Sequence, residues 1–213
     1  ADDVSASAAA WARTSGWRCV IITSDRDAFA HISDTTEVLR LIDGGIHGSP
    51  LLNPARLVAM YGVAAEHYLE YAALRGDASD NLPGVTGIGE KGAAALLAQV
   101  ASMREVWADL EHTDGATIAA ALDADAAESG QRRISVGLLN RMRDPTARRL
   151  FEFNLEIMGG RDDLELGLAP DVPGSPGLLP LEEARVRRVV SHLGVEATTE
   201  HAVRVLSRQR SLE

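Results

Sequence analysis

The first third of the chain alternates short apolar runs with polar turns, which is typical of strands between helices. An alanine-rich stretch at residues 2–13 predicts a helix, and Gly16 is placed to end it. The β-branched run at residues 18–23 is typical of a strand buried in a parallel sheet. Further strands are predicted at residues 31–32 and 38–42. The pattern therefore indicates an α/β architecture.

The remaining chain is dominated by helical periodicity. Asn53 and Pro54 predict a helix start, because asparagine caps helix N-termini and proline suits the first helical position. A turn is predicted at residues 43–48, and a stretch rich in glycine and aspartate follows at residues 76–91. A proline- and glycine-rich stretch at residues 169–180 predicts a linker. The predicted later helices span residues 63–75, 93–100, 103–110, 116–122, 134–143, 182–193 and 200–208.

Composition narrows the class of protein. With 213 residues, 46% of them hydrophobic, the chain can bury one core of ordinary domain size, with or without a smaller lobe. It has no apolar run long enough to span a membrane and no secretory signal, which predicts a cytoplasmic protein without a membrane partner. Cys19 is the only cysteine, so an intrachain disulfide or a cysteine-based zinc site is excluded.

The net charge of −10 is unusual for a protein that binds nucleic acid, because affinity for phosphates normally comes from a basic surface. The charges are unevenly distributed, however. Acidic residues form short clusters that divalent cations could neutralise, whereas arginines gather at residues 132–133, 141–149 and 185–188. Lys91 is the only lysine. The charge pattern therefore leaves a nucleic-acid partner open.

Three acidic clusters occupy similar positions, at a helix start, after a strand and in a loop after a helix. In open α/β sheets, ligand sites form beyond the carboxyl ends of strands. Hard oxygen ligands suit magnesium or manganese, and two such ions about 4 Å apart can hydrolyse a phosphodiester. Each aspartate alone could be a cap or turn residue, and spacing leaves open whether the carboxylates are dispersed or held together by cations. The residues concerned are Asp2, Asp3, Asp25, Asp27, Asp77 and Asp80.

A glycine-rich turn at residues 82–92 precedes an apolar helix. Its glycines match G-x-G-x-x-G, but no buried strand leads into it, which disfavours a dinucleotide-binding fold. Glycines let backbone amides approach a phosphate, and the helix N-terminus adds partial positive charge. A helix-hairpin-helix turn that binds DNA is therefore predicted, and the alternative is a turn that only connects helices. The DNA-binding candidates are Gly84, Gly87, Gly89, Lys91 and Gly92.

The segments ADD at residues 1–3, TSDRD at 23–27 and GDASDNLPGV at 76–85 resemble, in order and spacing, the acidic motifs of the 5′-3′ exonuclease and flap endonuclease family. The resemblance covers residues 1–153. It implies a PIN-like, Rossmann-like and mostly parallel sheet with a helical lobe that contains the helix-hairpin-helix-like turn. The implied division is a nuclease core at residues 1–75, a helical lobe at 76–168, and a linker with terminal helices at 169–213.

The resemblance also implies a function for the acidic clusters. It implies two Mg²⁺ or Mn²⁺ ions, with Asp2, Asp3 and Asp25 at the more catalytic one and Asp27, Asp77 and Asp80 mainly at the second. The partner implied is DNA with a 5′ flap, a nick or a 5′ end, on which a bacterial monomer acts at the nucleoid in replication and repair. A DNA polymerase is a further implied partner. A K⁺ ion is implied at the backbone carbonyls of Leu74, Arg75, Pro83, Val85 and Ile88.

One departure from the family pattern opens alternatives. The family has an acidic residue just before the position of Ala1, and further upstream an aspartate on its first strand and a basic helical arch. Since the sequence begins inside a motif, we expect a fragment of a longer protein or a truncated product that binds DNA without cutting it. A third hypothesis is an acidic helical interaction protein, which predicts neither metal dependence nor salt-sensitive DNA affinity.

Overall fold

A computed structural model describes residues 1–43, 45–169 and 180–207 and divides the chain into two units, Ala1–Leu164 and Glu165–Glu213. The first unit mixes helices with two small sheets, so the α/β prediction is confirmed at this level. Most of the predicted linker, Gly44 in the predicted turn, and Arg208 at the end of the last predicted helix lie outside the described residues.

The larger sheet follows the first helix. Helix α1 spans Asp2–Ser15, and Gly16 ends it in a left-handed conformation with φ of 72°. Strand β1 (Cys19–Thr23) pairs in parallel with β2 (Thr36–Arg40), and β2 pairs antiparallel with β3 (Leu51–Leu52). The described sheet therefore has one parallel and one antiparallel pairing.

Two expectations for this region were wrong. Residues 31–32 do not form a strand, because Asp27–His31 is a 3-10 helix in which the Phe29 amide donates to the Arg26 carbonyl. In β1 only the middle residue is buried, whereas Val20 and Ile22 are 50% and 58% exposed. The β-branched run therefore has one covered face and one open face, because no helix of the described unit packs over Val20 and Ile22.

The helices after the sheet follow the predicted order with shifted ends. Asn53 caps α2 by accepting a hydrogen bond from the Arg56 amide, as predicted. The predicted helix at residues 63–75 starts later, after a 3-10 turn at Ala65–His67. The helices of the first unit from this point are α2 (Pro54–Tyr61), α3 (Tyr68–Arg75), α4 (Glu90–Leu97), α5 (Met103–Thr113), α6 (Ala116–Glu128), α7 (Ser135–Met142) and α8 (Pro145–Gly159).

A short hairpin with two residues in each strand connects α3 to the glycine-rich turn. Its strands are β4 (Gly76–Asp77) and β5 (Leu82–Pro83), which pair antiparallel. The helix α8, which sequence patterns did not predict, packs along α3 beside this hairpin. The hairpin is thereby held against the core of the first unit.

The core of the first unit joins the sheet to the helices. Phe29, Tyr68 and Tyr71 are almost completely buried, and the Tyr68 ring packs against the rings of the other two. Trp107 and Phe151, with ring centroids 5.0 Å apart, join α5 to α8. Aromatic packing of this kind adds to burial, so the hairpin and the 3-10 helix rest on a well-packed base.

The second unit contains α9 (Glu183–His192) and α10 (Thr199–Leu206). Arg187 joins them through ion pairs with Glu183 and Glu200. None of the described helices is long and apolar enough to cross a membrane.

Candidate metal centre and nucleic-acid interface

Three carboxylates from distant parts of the chain meet in the first unit. Asp27 begins the 3-10 helix that follows β1, Asp77 lies in β4 and Asp80 lies in the hairpin turn. One oxygen of each lies within 4.8 Å of the others. The residues that follow β1 and those that follow α3 therefore form one cluster, here called the carboxylate cluster.

The hairpin turn is shaped by its own side chains. The Asp77 carboxylate accepts a hydrogen bond of 2.8 Å from the Ser79 amide and another from the Ser79 hydroxyl. These bonds lower the pKa of Asp77 and keep it ionised. Asn81 adopts φ of 58°, a left-handed conformation that asparagine tolerates better than most residues.

Asp27 has the most strongly shifted pKa among the carboxylates of the cluster. Burial, followed by the charges of Asp25, Asp80, Asp77 and Asp2, raises the pKa of Asp27 to about 6. Like charges in a partly dry site disfavour ionisation of one of their members. A bound cation would remove this repulsion.

The remaining predicted carboxylates take different positions. Asp2 and Asp25 line a small cleft with His31, and the Asp25 carboxylate accepts a 3.1 Å hydrogen bond from the Asp27 amide. Asp3 faces elsewhere, since its carboxylate accepts a 2.8 Å hydrogen bond from the Arg161 amide after α8. Four of the other five predicted carboxylates thus act on Asp27, whereas Asp3 bonds to the Arg161 amide.

The carboxylate cluster has the chemistry and spacing of a divalent-ion site. Oxygen ligands at about 2.0–2.6 Å from an ion lie up to about 5 Å apart when they are opposite each other. The 4.8 Å spread of the three oxygens is consistent with that separation. Across residues 1–43, 45–169 and 180–207, this is the one group of three such side chains at that spacing.

Arg75 lies below the hairpin, where sequence patterns gave no signal for its side chain. Its guanidinium donates to the Gly76 carbonyl at 3.0 Å, lies 3.6 Å from the Asp77 carboxylate and stacks over the Tyr71 ring. The side chain is only 12% exposed. The protein therefore supplies one positive charge of its own beside the cluster.

The backbone crosses itself where the glycine-rich turn begins. A β-carbon on Gly84 would lie 2.0 Å from the Arg75 carbonyl oxygen, and one on Gly76 would lie 2.2 Å from the Gly84 nitrogen. Both positions therefore require glycine.

The carbonyls implied for K⁺ surround this crossing. Those of Leu74, Pro83 and Val85 accept hydrogen bonds of 2.8 to 2.9 Å from the Val85 amide, the Asn154 side chain and the Ile88 amide. The potassium site stays a prediction.

The glycine-rich turn continues into a groove of about 760 Å³, here called the basic groove. Helix α4 starts there, and its N-cap Gly89 offers no side chain to its first amides, which leaves them free for an anion. The turn and an arginine cluster, separate in sequence, therefore form one surface, while Gly84 belongs to the crossing and does not line it. Four basic side chains and one acidic side chain line the groove. Its lining is Gly87, Gly89, Glu90, Lys91 and Gly92 from the turn side, with Arg132, Arg133, Ile134, Val136, Gly137, Leu138 and Arg141 opposite.

Comparisons with known proteins show which family the sequence resembles. Residues 63–140 match the family described as 5′-3′ exonuclease, C-terminal SAM fold. DNA polymerase I of Mycobacterium tuberculosis H37Rv is 39% identical over 115 residues, which are 54% of this chain and 13% of that protein. Thermostable DNA polymerase I of Thermus aquaticus is 40% identical over 111 residues, 52% of this chain and 13% of that protein. The family resemblance of the sequence is thereby confirmed.

The matches cover only part of this chain and a small part of its relatives. The chain spans 13% of the length of the M. tuberculosis polymerase. The segment at residues 63–140 includes Asp77, Asp80 and the turn side of the basic groove, whereas Asp2 to Asp27 precede it. The crystal structure titled T5 D15 protein co-crystallised with metal ions is 17% identical, with 96% of this chain and 60% of that chain covered, at a TM-score of 0.45.

Proposed function

We propose that this chain is part of a structure-specific 5′ nuclease that hydrolyses DNA phosphodiesters with divalent ions in replication and repair. Residues 63–140 match the family described as 5′-3′ exonuclease, C-terminal SAM fold, which supports the proposal. One observation carries the proposal. The segment at residues 76–92 supplies two members of the carboxylate cluster and then the turn side of the basic groove. Acidic ion ligands and a phosphate-binding surface on one continuous segment suit a nuclease.

The proposed division of labour follows from the side chains. Asp27, Asp77 and Asp80 would hold Mg²⁺ or Mn²⁺ through their oxygens, and Asp2 and Asp25 would face a second ion from their shared cleft. Such ions polarise a phosphate and activate water. Asp25 also orients the Asp27 backbone by accepting its amide hydrogen. A PIN-like sheet, a helix-hairpin-helix role for the turn and a K⁺ site are parts of the same proposal.

The basic groove would position the DNA. Its arginines, Lys91 and the free amides of α4 match the charge of a phosphate backbone and carry no base-specific pattern. Binding is therefore directed at duplex shape and at a 5′ end or flap and not at sequence.

A second candidate function is DNA binding without cleavage. The observation that favours it is the position of Asp3, whose carboxylate is engaged by the Arg161 amide and does not join the cluster. In that case the groove acts alone, and metal ions have no effect beyond stability.

The deciding experiment is cleavage of an end-labelled 5′-flap DNA with Mg²⁺ or Mn²⁺, with a chelator as control. We expect Asp25→Asn to abolish cutting and leave DNA affinity within about twofold, because the carboxylate lies at the proposed ions and outside the groove. The matched control is Asp43→Asn, which removes an exposed carboxylate elsewhere. Metal-dependent cutting that survives in Asp25→Asn would contradict the assignment of cleavage to this metal centre, and binding without any cutting by the wild-type chain would support the second function.

The groove is tested separately with Lys91→Ala. We expect a weaker affinity for duplexes of any sequence and a salt dependence reduced by about one released counterion, as for a single phosphate contact. Fluorescence anisotropy at several salt concentrations measures both. Arg104→Ala, which removes an exposed charge from α5 away from the groove, is the control. A loss confined to certain sequences would argue against a phosphate contact.

A further inference from the structure

One buried side chain spans both ends of the hairpin that carries two carboxylates of the cluster. Asn154 lies on α8, is completely buried, and follows the segment that matches the family model. Its amide nitrogen donates to the Ala73 carbonyl at 2.9 Å and to the Pro83 carbonyl at 2.9 Å. Ala73 precedes the hairpin in α3, and Pro83 is its last residue.

These two carbonyls need a donor from outside the hairpin. The last four carbonyls of a helix have no partner within it, and Ala73 is among the last four residues of α3. A primary amide supplies two N–H groups from one nitrogen, which suits two acceptors on neighbouring segments. Asn154 therefore ties the end of α3 to β5 and closes the base of the hairpin.

The two hydrogen bonds donated by Asn154 leave the oxygen of the same amide unpaired within the described part of the chain. The Asn154 amide oxygen is buried without a hydrogen-bond partner among the described residues. Leaving a buried acceptor unpaired is unfavourable, so such groups in folded proteins call for a reason. The two donated bonds supply that reason, because turning the amide over would bring its oxygen against the two carbonyl oxygens.

We propose that Asn154 is a positioning residue for the carboxylate cluster, because it fixes the hairpin that carries Asp77 and Asp80 relative to Asp27. The inference rests on the proposed function for its metal ion. The hairpin has only two paired residues in each strand, and so short a hairpin does not hold its shape alone. Its anchor on α8 is what brings the two carboxylates within ligand distance of the third.

The test uses Asn154→Leu, which keeps a similar volume and removes both donors. Hydrogen exchange of the amides at residues 76–82 measures the hairpin, and calorimetric titration with Mn²⁺ alone measures the cluster. We expect exchange in the hairpin to rise at least about tenfold, and Mn²⁺ affinity to fall at least about tenfold at a temperature where the variant is fully folded.

A core variant away from the hairpin separates positioning from general loss of stability. Leu122→Ala opens a cavity in α6, which packs against α4, α5 and α7. It should lower the melting temperature without changing either hairpin exchange or Mn²⁺ affinity. Unchanged exchange or Mn²⁺ affinity in Asn154→Leu, or an equal loss of affinity in Leu122→Ala, would overturn the proposal.

Failure of the proposed function gives a different result. If the wild-type chain binds no Mn²⁺ at the cluster, the metal centre is wrong for this chain and so is a role of Asn154 in it. Faster hairpin exchange in Asn154→Leu would then show that the residue anchors the hairpin for stability alone. If the wild-type chain binds Mn²⁺ and only the Asn154 result is negative, the proposed function stands.

Discussion

Asp27→Asn is expected to abolish Mn²⁺ binding at the carboxylate cluster and, in the presence of chelator, to make the protein more stable near neutral pH. The variant loses an ion ligand, and it also removes the charge that burial and four neighbouring carboxylates disfavour. Metal binding and metal-free stability should therefore change in opposite directions. A substitution that only damaged the fold would lower both.

The raised pKa of Asp27 determines how its contribution to metal-free stability changes with pH. The pKa of Asp27 is about 6 in the folded protein against 3.8 ordinarily, so the folded state binds the proton more tightly than the unfolded state does. The wild-type protein should therefore lose stability as pH rises from about 4 to above 6. Solvent screening of this half-exposed group limits the loss to about 1 kcal/mol.

Urea unfolding with chelator at pH 4.5 and 7.5 measures this loss. Asp27→Asn should lack this part of the pH dependence, whereas Asp43→Asn should keep it. Identical pH profiles for Asp27→Asn and the wild type would contradict the crowding of charge at Asp27.

Gly84→Ala is expected to cost about 3–5 kcal/mol of folding free energy, the range of severe core substitutions. The added β-carbon would lie 2.0 Å from the Arg75 carbonyl oxygen, and both atoms belong to backbone that cannot move aside without opening the crossing. The variant should also lose Mn²⁺ binding, because the crossing holds the base of the hairpin.

Gly89→Ala is the matched control for this substitution. A β-carbon at Gly89 meets nothing within 4 Å, and its φ of −101° suits any residue. We expect a loss of no more than about 1 kcal/mol, typical of an alanine at an N-cap. Urea unfolding of the two variants side by side measures the difference. Equal losses would mean that the close approach at Gly84 is relieved by relaxation.

The sequence predicted helix ends correctly where they depend on interactions between neighbouring residues. Gly16 ends α1 and Asn53 caps α2, because both effects depend on a few neighbouring residues. The same kind of signal was missed at Asp144 and Pro145, which cap and begin α8. The strand predicted at residues 31–32 was wrong because a single apolar residue, Ile32, fits the buried end of a 3-10 helix as well as it fits a strand.

The candidate site was only partly accessible from the sequence. Motif order indicated that Asp27, Asp77 and Asp80 share a site, although no spacing rule brings residues this far apart together. The side chain of Asn154 acts through contacts with a distant segment, so no pattern near that residue reveals them. Arg75 contacts Tyr71, Gly76 and Asp77, which are near it in sequence, but no motif marks its side chain. Hydrogen bonds with long sequence separation are set by packing, and packing becomes visible only in the folded chain.

The basic groove also depends on packing between segments that are far apart in sequence. The glycine-rich turn and the arginines at residues 132–133 are more than 40 residues apart in sequence, yet they line one groove. Arg187, by contrast, lines no part of this groove, and its charge is paired with Glu183 and Glu200 within the second unit. Counting arginines therefore does not identify the residues that face phosphate.

The crossing of the backbone at Gly76 and Gly84 gives the proposed nuclease a fixed distance. The carboxylate cluster lies on one side of the crossing and the start of α4 on the other, with only a short run of backbone between them. A phosphate bound at α4 is then a set number of nucleotides from the bond that is cut. Inserting a residue between Gly84 and Gly89 should shift the position of the cut along the strand, while point substitutions in the groove should change only how tightly the DNA is bound.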